Sequence, residues 1–225
     1  MSKLSNDHVA WNDVDTVLLD MDGTLLDLRF DGHFWLEVVP AAYARQMGKP
    51  LDAVLPTLYR EFDRRRNTLP WYSIEHWSDF FDMDIDALQR KHASNIAWLH
   101  GAPAFLDALQ ASGKQTALVT NADRHTLGIK DEQTGLVAKL HTAFSAHDFG
   151  CPKEHPEFWD RFFDAYPADR SRTLFVDDTV SVLESARRAR IGHVVAIAQP
   201  DSAGPVRDMA GFVTVRGVFE LIVTA

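Results

Sequence analysis

Asp20 and Asp22 stand one residue apart, with Gly23 directly after them. Residues i and i+2 of an extended backbone point to the same side, so both carboxyl groups can reach one reacting centre. Asp20, as a carboxylate, can attack phosphorus and form an aspartyl phosphate, which divides one hard hydrolysis into two easier displacements. Asp22 can protonate the leaving alkoxide and then take a proton from the attacking water. Gly23 permits the sharp turn or close backbone approach this needs. Further along lie Thr120-Asn121, Lys153 and Asp177-Asp178. Thr120 can donate its hydroxyl to a phosphate oxygen, aided by the backbone amides of Asn121 and Ala122 if a helix begins there. Lys153 offers a point positive charge to phosphate and nucleophile together. A phosphoryl group in transit calls for a hard cation, and Mg²⁺ is the expected cofactor. Its proposed ligands are Asp20, the Asp22 carbonyl and Asp177, with Asp178 binding directly or through a water.

These groups act together only if strand ends bring them together. Thr16 to Asp20 is a β-branched and aliphatic run of the kind that forms a buried parallel strand. Thr116 to Thr120 and Thr173 to Asp177 are similar runs ending in polar residues, with weaker ones at Thr142 to Ser145, His193 to Ile197 and Phe212 to Val215. Helical patterns lie between them. Pro103 opens one, with Phe105, Leu106 and Leu109 as its apolar stripe and Gly113 as its stop. Another runs from Ser181 through Val182, Ala186 and Ala189 to Gly192. Alternating strand and helix predicts an α/β, Rossmann-like parallel sheet, in which ligands sit at the carboxyl ends of strands near a switch in strand order.

Residues 31–101 break the rhythm, because helical periodicity persists there without a strand-like run. Asp31 to Gly48 is one candidate helix. Leu51, Val54, Leu55, Leu58 and Phe62 fit one face of a second, and Ile85, Leu88, His92, Ile96 and Leu99 fit one face of a third, capped by Asp84. The expected organisation is a core of residues 1–30 plus 102–225 with an all-helical cap, 31–101, inserted after the first strand.

Composition narrows the partners. The chain has 225 residues, 46% of them hydrophobic, and a net charge of −9, so a sizeable core is available while nucleic acid polymers and anionic membranes are poor partners. A small anionic substrate then needs local positive charge, which returns to the metal and Lys153. The single cysteine, Cys151, permits no internal disulfide and is expected to fill a buried space. No stretch is apolar over the length needed to span a bilayer, and the first residues lack a signal-peptide core, so a cytoplasmic protein is expected.

Asp20-Met-Asp-Gly-Thr24 resembles the first motif of the haloacid dehalogenase superfamily, and Thr120-Asn121, Lys153 and Asp177-Asp178 resemble its second, third and fourth in the same order. Relatives often read Lys-Pro-x-Pro-x-x-Phe at the third, where this chain has Lys153-Glu-His-Pro156-Glu-Phe158. The acid at Asp22 is missing from the family's dehalogenases, so the resemblance implies phosphate chemistry. Trp11 to Asp20, Trp71-Tyr72 with Trp77-Ser78, and Phe149 to Lys153 are also similar to bacterial GMP/IMP 5′-nucleotidases. That similarity implies a purine nucleoside monophosphate, GMP or IMP, as substrate. Other readings of the same motifs are a sugar-phosphate or phosphoglycolate phosphatase, a phosphomutase, or a module that only binds phosphate or a partner.

In the cap, Trp71 and Tyr72 are candidates for contact with the base, although aromatics at this spacing also build cores. Arg29, just after the first motif, is a candidate for phosphate or ribose contact. The run Arg64 to Arg66 is expected to be a solvated face, and His33, His76 and His155 lack metal-ligand spacing.

Overall fold

The computed structural model describes residues 8–209 and 211–223. Its centre is β1 (Thr16–Leu19), whose four residues are all buried. A strand buried on both faces must carry apolar side chains at every position, and Val17, Leu18 and Leu19 are fully covered.

The chain passes from β1 into a helical segment. A helical run from Arg29 to Gln46 comprises α1 (Arg29–His33), a π-helical stretch (Phe34–Val38) and α2 (Val39–Gln46). Pro40, in the first turn of α2, has no N–H for the carbonyl one turn back, and the turn before it widens accordingly. Then come α3 (Leu51–Arg65), α4 (Ile74–Phe81) and α5 (Ile85–His92). The remaining elements alternate: α6 (Ala102–Ser112), β2 (Gln115–Thr120), α7 (Arg124–Thr134), β3 (Thr142–Ser145), α8 (Pro156–Ala165), β4 (Thr173–Asp177), α9 (Val180–Arg188), β5 (His193–Ile197) and β6 (Val213–Val215).

The strands form one six-stranded sheet in the order β3-β2-β1-β4-β5-β6, and every pair is parallel. The chain builds outward from β1 on one side, then returns to its other side with β4. The switch point therefore lies at β1. Leu19 is opposite Leu118 and Val176, so one more step along the register sets Asp20 beside Asp177. The Asp20 N–H donates to the Val176 carbonyl at 3.0 Å, continuing the ladder.

Alternate strand residues feed two apolar layers. Leu18, Ala117, Val119 and Phe175 pack with Phe158, Trp159 and Phe162 of α8 and with Val182, Leu183 and Ala186 of α9. Val17, Leu19, Leu118 and Val176 pack with Phe105, Leu106 and Leu109 of α6, and this layer continues into the helical segment through Phe34, Phe62 and Trp77.

Two details of the helical segment differ from the sequence reading. The third helix was expected to carry Ile96 and Leu99 on its face, yet α5 ends at His92. The chain there turns back so that Leu99 N–H can donate to the Leu25 carbonyl and Asp27 N–H to the Ala97 carbonyl, both at 2.9 Å. On α3, Val54, Leu58 and Phe62 are buried, but Leu51 is 44% exposed because it occupies the first turn, beyond the neighbouring helices. Asp84 caps α5 as expected, accepting from the Ala87 N–H at 2.8 Å. Among the described residues no helix is long and apolar enough to cross a membrane.

Candidate active site

The carboxyl ends of β1, β2 and β4 converge on Lys153, which follows a capped turn after β3. That turn, Ala146–Phe149, begins with Ser145 as N-cap in a reciprocal capping box with Asp148. The loop beyond it delivers a fully buried lysine. Its ammonium donates to Asp20 at 2.5 Å, to Asp177 at 2.7 Å and to the Val119 carbonyl at 2.9 Å. All three protons are thus engaged. Burial alone would lower this ammonium's pKa, but the charges of Asp177 and Asp20 reverse that and hold it above its ordinary range.

Asp20, Asp177 and Asp178 are all buried, and each offers an oxygen within 4.8 Å of the others. Burial pushes the Asp20 carboxyl up; Lys153 opposes this and the charges of Asp177 and Asp22 add to it. Asp177 is raised for the same first reason, with Lys153 opposing and Asp178 adding. Asp178 is pushed up to about 7 by burial and by the charge of Asp20, against the pull of Arg207. Three carboxylates crowd one ammonium and repel each other. The set fits a hard divalent cation, since it supplies oxygen donors only and more negative charge than Lys153 neutralises.

Local structure fixes each acid. Asp177 accepts from the Thr179 N–H at 2.7 Å, and Asp178 accepts from Arg207 at 3.1 Å and from the Thr179 hydroxyl at 3.3 Å. Gly23 has φ +82°, and a β-carbon there would fall 2.7 Å from the Asp178 Cγ and 2.7 Å from the Pro200 Cβ. The turn after β1 and the Asp178 carboxylate share a space that only glycine leaves open.

Asp22 is half-buried. Its carboxylate accepts from Lys130 Nζ at 2.6 Å, and the same ammonium donates to both oxygens of Asp31 at 2.7 and 2.8 Å. Thr120 is buried; its hydroxyl oxygen accepts from the Ala122 N–H at 3.1 Å, which leaves its own proton to donate. The helix expected to start at Asn121 starts instead at Arg124, with Asp123 as N-cap accepting from the Thr126 N–H at 2.8 Å. A start at Asn121 would make Thr120 the cap; aspartate ranks above threonine there, so the helix forms three residues later and the Ala122 amide is spent within the turn. The Asn121 side chain ties the lysine loop in place, accepting from the Lys153 N–H at 2.8 Å and donating to Glu154 at 3.0 Å.

The helical segment reaches the site through Tyr72, whose hydroxyl donates to Glu154 at 2.7 Å. Burial, then the Glu154 charge, holds that phenol far above its ordinary pKa. Asp123 adds a second tie, accepting from the Ile74 N–H at 2.5 Å. Trp71 sits instead in an aromatic cluster, edge-on to Phe62 and Trp77 with ring centroids 5.6 and 6.1 Å away. Arg29 is exposed on the first turn of α1. Of the arginine run, Arg65 lies over Trp77 and Phe80, at 5.4 and 5.0 Å from the ring centroids, and pairs with Glu61. That residue is a packing group, not a solvated one. Cys151 is buried, and burial pushes its thiol up.

Lys130, Asp31, Glu154 and Arg207 were not singled out from sequence. A signal existed for the first: Thr126, Leu127, Ile129 and Lys130 share the buried face of α7, and a lysine on an apolar helix face needs a buried partner. Glu154 stands where relatives carry the first proline of the third motif. Arg207 lies outside every motif.

A family model described as haloacid dehalogenase-like hydrolase matches residues 14–190. The chain is 40% identical over 195 residues to the GMP/IMP nucleotidase YrfG of Escherichia coli (strain K12), covering 87% of this chain and 88% of that protein. The protein of the same name in Shigella flexneri matches equally. Among solved structures, a HAD phosphatase from Thermococcus onnurineus superposes with a TM-score of 0.76 at 21% identity, over 92% of this chain and 96% of the other. An L-2-haloacid dehalogenase from Xanthobacter autotrophicus, with chloropropionic acid covalently bound, gives 0.61 at 15% identity over 92% and 96%; these two likenesses speak to the fold. The family match and the curated relative together establish that the chain belongs to the haloacid dehalogenase-like hydrolases and is an enzyme.

Proposed function

We propose that the protein hydrolyses phosphomonoesters through an aspartyl phosphate on Asp20, with Mg²⁺ as cofactor and purine nucleoside monophosphates, GMP or IMP, as substrates. The observation that carries the reading is the meeting of Asp20, Lys153 and Asp177 at the switch point of the sheet. The identity to a GMP/IMP nucleotidase along most of the chain supports the substrate class.

In the proposed reaction the Asp20 carboxylate attacks phosphorus and the P–O bond to the nucleoside breaks. Asp22 gives its proton to the departing oxygen. Water then attacks the aspartyl phosphate, Asp22 takes a proton from it, and Asp20 is released with inorganic phosphate. Thr120 donates to a phosphoryl oxygen. Asn121 holds the lysine loop, and Lys153 opposes the burial that favours the neutral nucleophile and aims its carboxylate. Mg²⁺, when bound by Asp20, the Asp22 carbonyl, Asp177 and Asp178, neutralises charge on the phosphoryl oxygens and on the crowded acids. Residues 31–101 act as a cap over a core formed by 1–30 and 102–225, and Tyr72 reaches the site from it. In this reading Trp71, the candidate for base contact, packs in the aromatic cluster, and Arg29, the candidate for phosphate or ribose contact, is exposed on α1; neither is given a role in the chemistry.

Turnover with GMP, measured as released phosphate, tests the mechanism. Asp20→Asn should abolish it with an unchanged circular dichroism spectrum, and wild-type turnover in that variant removes the mechanism. A panel of monoesters tests the substrate: preference for sugar phosphates or phosphoglycolate over GMP and IMP would replace the nucleotidase assignment.

A further inference from the structure

Lys130 is a buried cation that the four motifs do not include. It lies on α7, 1% exposed, with its Nζ at 2.6 Å from Asp22 and at 2.7 and 2.8 Å from the two oxygens of Asp31. The Phe30 ring covers it at 5.7 Å from the centroid. Asp22 comes from the turn after β1, Asp31 from the first turn of α1, and Lys130 from the helix after β2. Three separate chain segments therefore spend buried charge on one point. Burying an ammonium is costly unless it is paired with good geometry, and a plain structural staple needs only one carboxylate. Here one of the two is the proposed acid/base itself.

We propose that Lys130 is a positioning residue, which holds the Asp22 carboxylate in the orientation for proton transfer, and that Asp31 aims Lys130 and keeps it paired while Asp22 gives up and regains its proton. The inference rests on the assignment of Asp22 made above. No covalent step involves Lys130; it fixes a direction. A carboxyl group free to rotate about two side-chain bonds spends most of its time misaligned, and general acid–base catalysis is lost in proportion. The arrangement also joins proton transfer to α1, because Asp31 is carried on the helix that leads into residues 31–101.

The test separates proton transfer from everything else by the leaving group. GMP releases an alkoxide that needs a proton, whereas p-nitrophenyl phosphate releases a phenolate that does not. The double variant Lys130→Met with Asp31→Asn removes one cation and one carboxylate, so the net charge is kept while the half-buried Asp22 carboxylate loses its ammonium partner. Under single-turnover conditions with Mg²⁺, guanosine release should fall about 100-fold and p-nitrophenolate release less than about threefold, and in separate steady-state assays KM for GMP should stay within about twofold. Asp31→Asn alone leaves Lys130 paired with Asp22, and it should show the same split at about tenfold; it serves as the second variant where the double one does not fold. Equal losses on both substrates would make Lys130 a structural staple, and no loss on either would make it irrelevant to turnover; both overturn the inference. Asp22→Asn distinguishes this from failure of the underlying reading: if it too shows no leaving-group dependence, the acid/base assignment falls, and if it does while the Lys130 and Asp31 variants do not, only the clamp falls.

Discussion

Replacing Gly23 by alanine adds one methyl group at the point where the turn after β1 meets the buried acids. Two costs follow from the coordinates. The backbone there has φ +82°, and an L-residue in the left-handed region costs about 1–2 kcal/mol. The new carbon would lie 2.7 Å from both the Asp178 Cγ and the Pro200 Cβ, and forced overpacking costs about 1–3 kcal/mol more. Pro200 resists movement, since its carbonyl accepts from the Leu28 N–H at 3.0 Å. Asp178 must give way, against its bonds to Arg207 and Thr179. A total of about 2–5 kcal/mol, at about 2–4 °C per kcal/mol for a chain of this size, lowers Tm by about 4–20 °C. Because the displaced group is a proposed ligand, Mg²⁺ affinity by calorimetric titration should also drop about tenfold or more. Gly48 is the control: its φ is +61°, but a β-carbon there meets nothing within 4 Å. Gly48→Ala should lose about 1–2 kcal/mol for the backbone alone and bind Mg²⁺ as the wild type does. A Gly23→Ala protein that melts with the wild type and titrates identically would refute the shared-space argument.

Three other outcomes are expected. Because Asp20, Asp177 and Asp178 all have raised pKa values, with Asp178 near 7, their neutral forms favour the folded state; the stability they lend is complete below the unfolded pKa near 4 and is lost as pH rises through the folded values. Metal-free protein in chelator should therefore melt lower at pH 8 than at pH 5.5, and Mg²⁺ should remove most of the difference; a pH-independent Tm without metal would contradict the raised values. Tyr72→Phe deletes the donor to Glu154 and should cost about 1 kcal/mol in denaturant melts while raising KM more than it lowers kcat; an unchanged KM would place Tyr72 outside substrate binding. Asp123→Ala strips the N-cap of α7 and the acceptor of the Ile74 N–H, and should cost about 2–3 kcal/mol; a loss under about 0.5 kcal/mol would show that neither bond matters.

The sheet was legible because its central strands are covered on both faces. Thr16 to Leu19, Thr116 to Thr120 and Thr173 to Asp177 are near-continuous apolar runs, and even the weaker runs at Thr142, His193 and Val213 pair in the sheet. Their terminal polar residues marked the site, since a polar group ending a buried strand has few reasons to be there. What stayed hidden depends on tertiary approach. Lys130 and Asp31 are 99 residues apart, and their pairing follows from the tertiary approach of two segments, which no local pattern records. The overrun of α5 has a similar origin: Ile96 and Leu99 keep helical spacing, but their backbone is claimed by the residues after β1. Asp123 out-competed Thr120 as a cap, which a closer weighing of cap preference in Thr120-Asn-Ala-Asp123 could have anticipated.

The two stretches that join the helical insertion to the sheet do not run independently. Leu26 bridges Trp98 in antiparallel fashion, flanked by the backbone bonds from Leu99 to Leu25 and from Asp27 to Ala97. Twisting one stretch against the other would tear these bonds, whereas flexing both as a single ribbon leaves them whole. A rigid-body motion of the insertion would therefore pivot about that ribbon. Elsewhere the insertion is held to the rest of the chain by the bonds of Tyr72 with Glu154, of Ile74 and Tyr72 with Asp123, and of Arg90 with Glu132, so under the proposed function an opening that released product would part these bonds while the ribbon stays fastened.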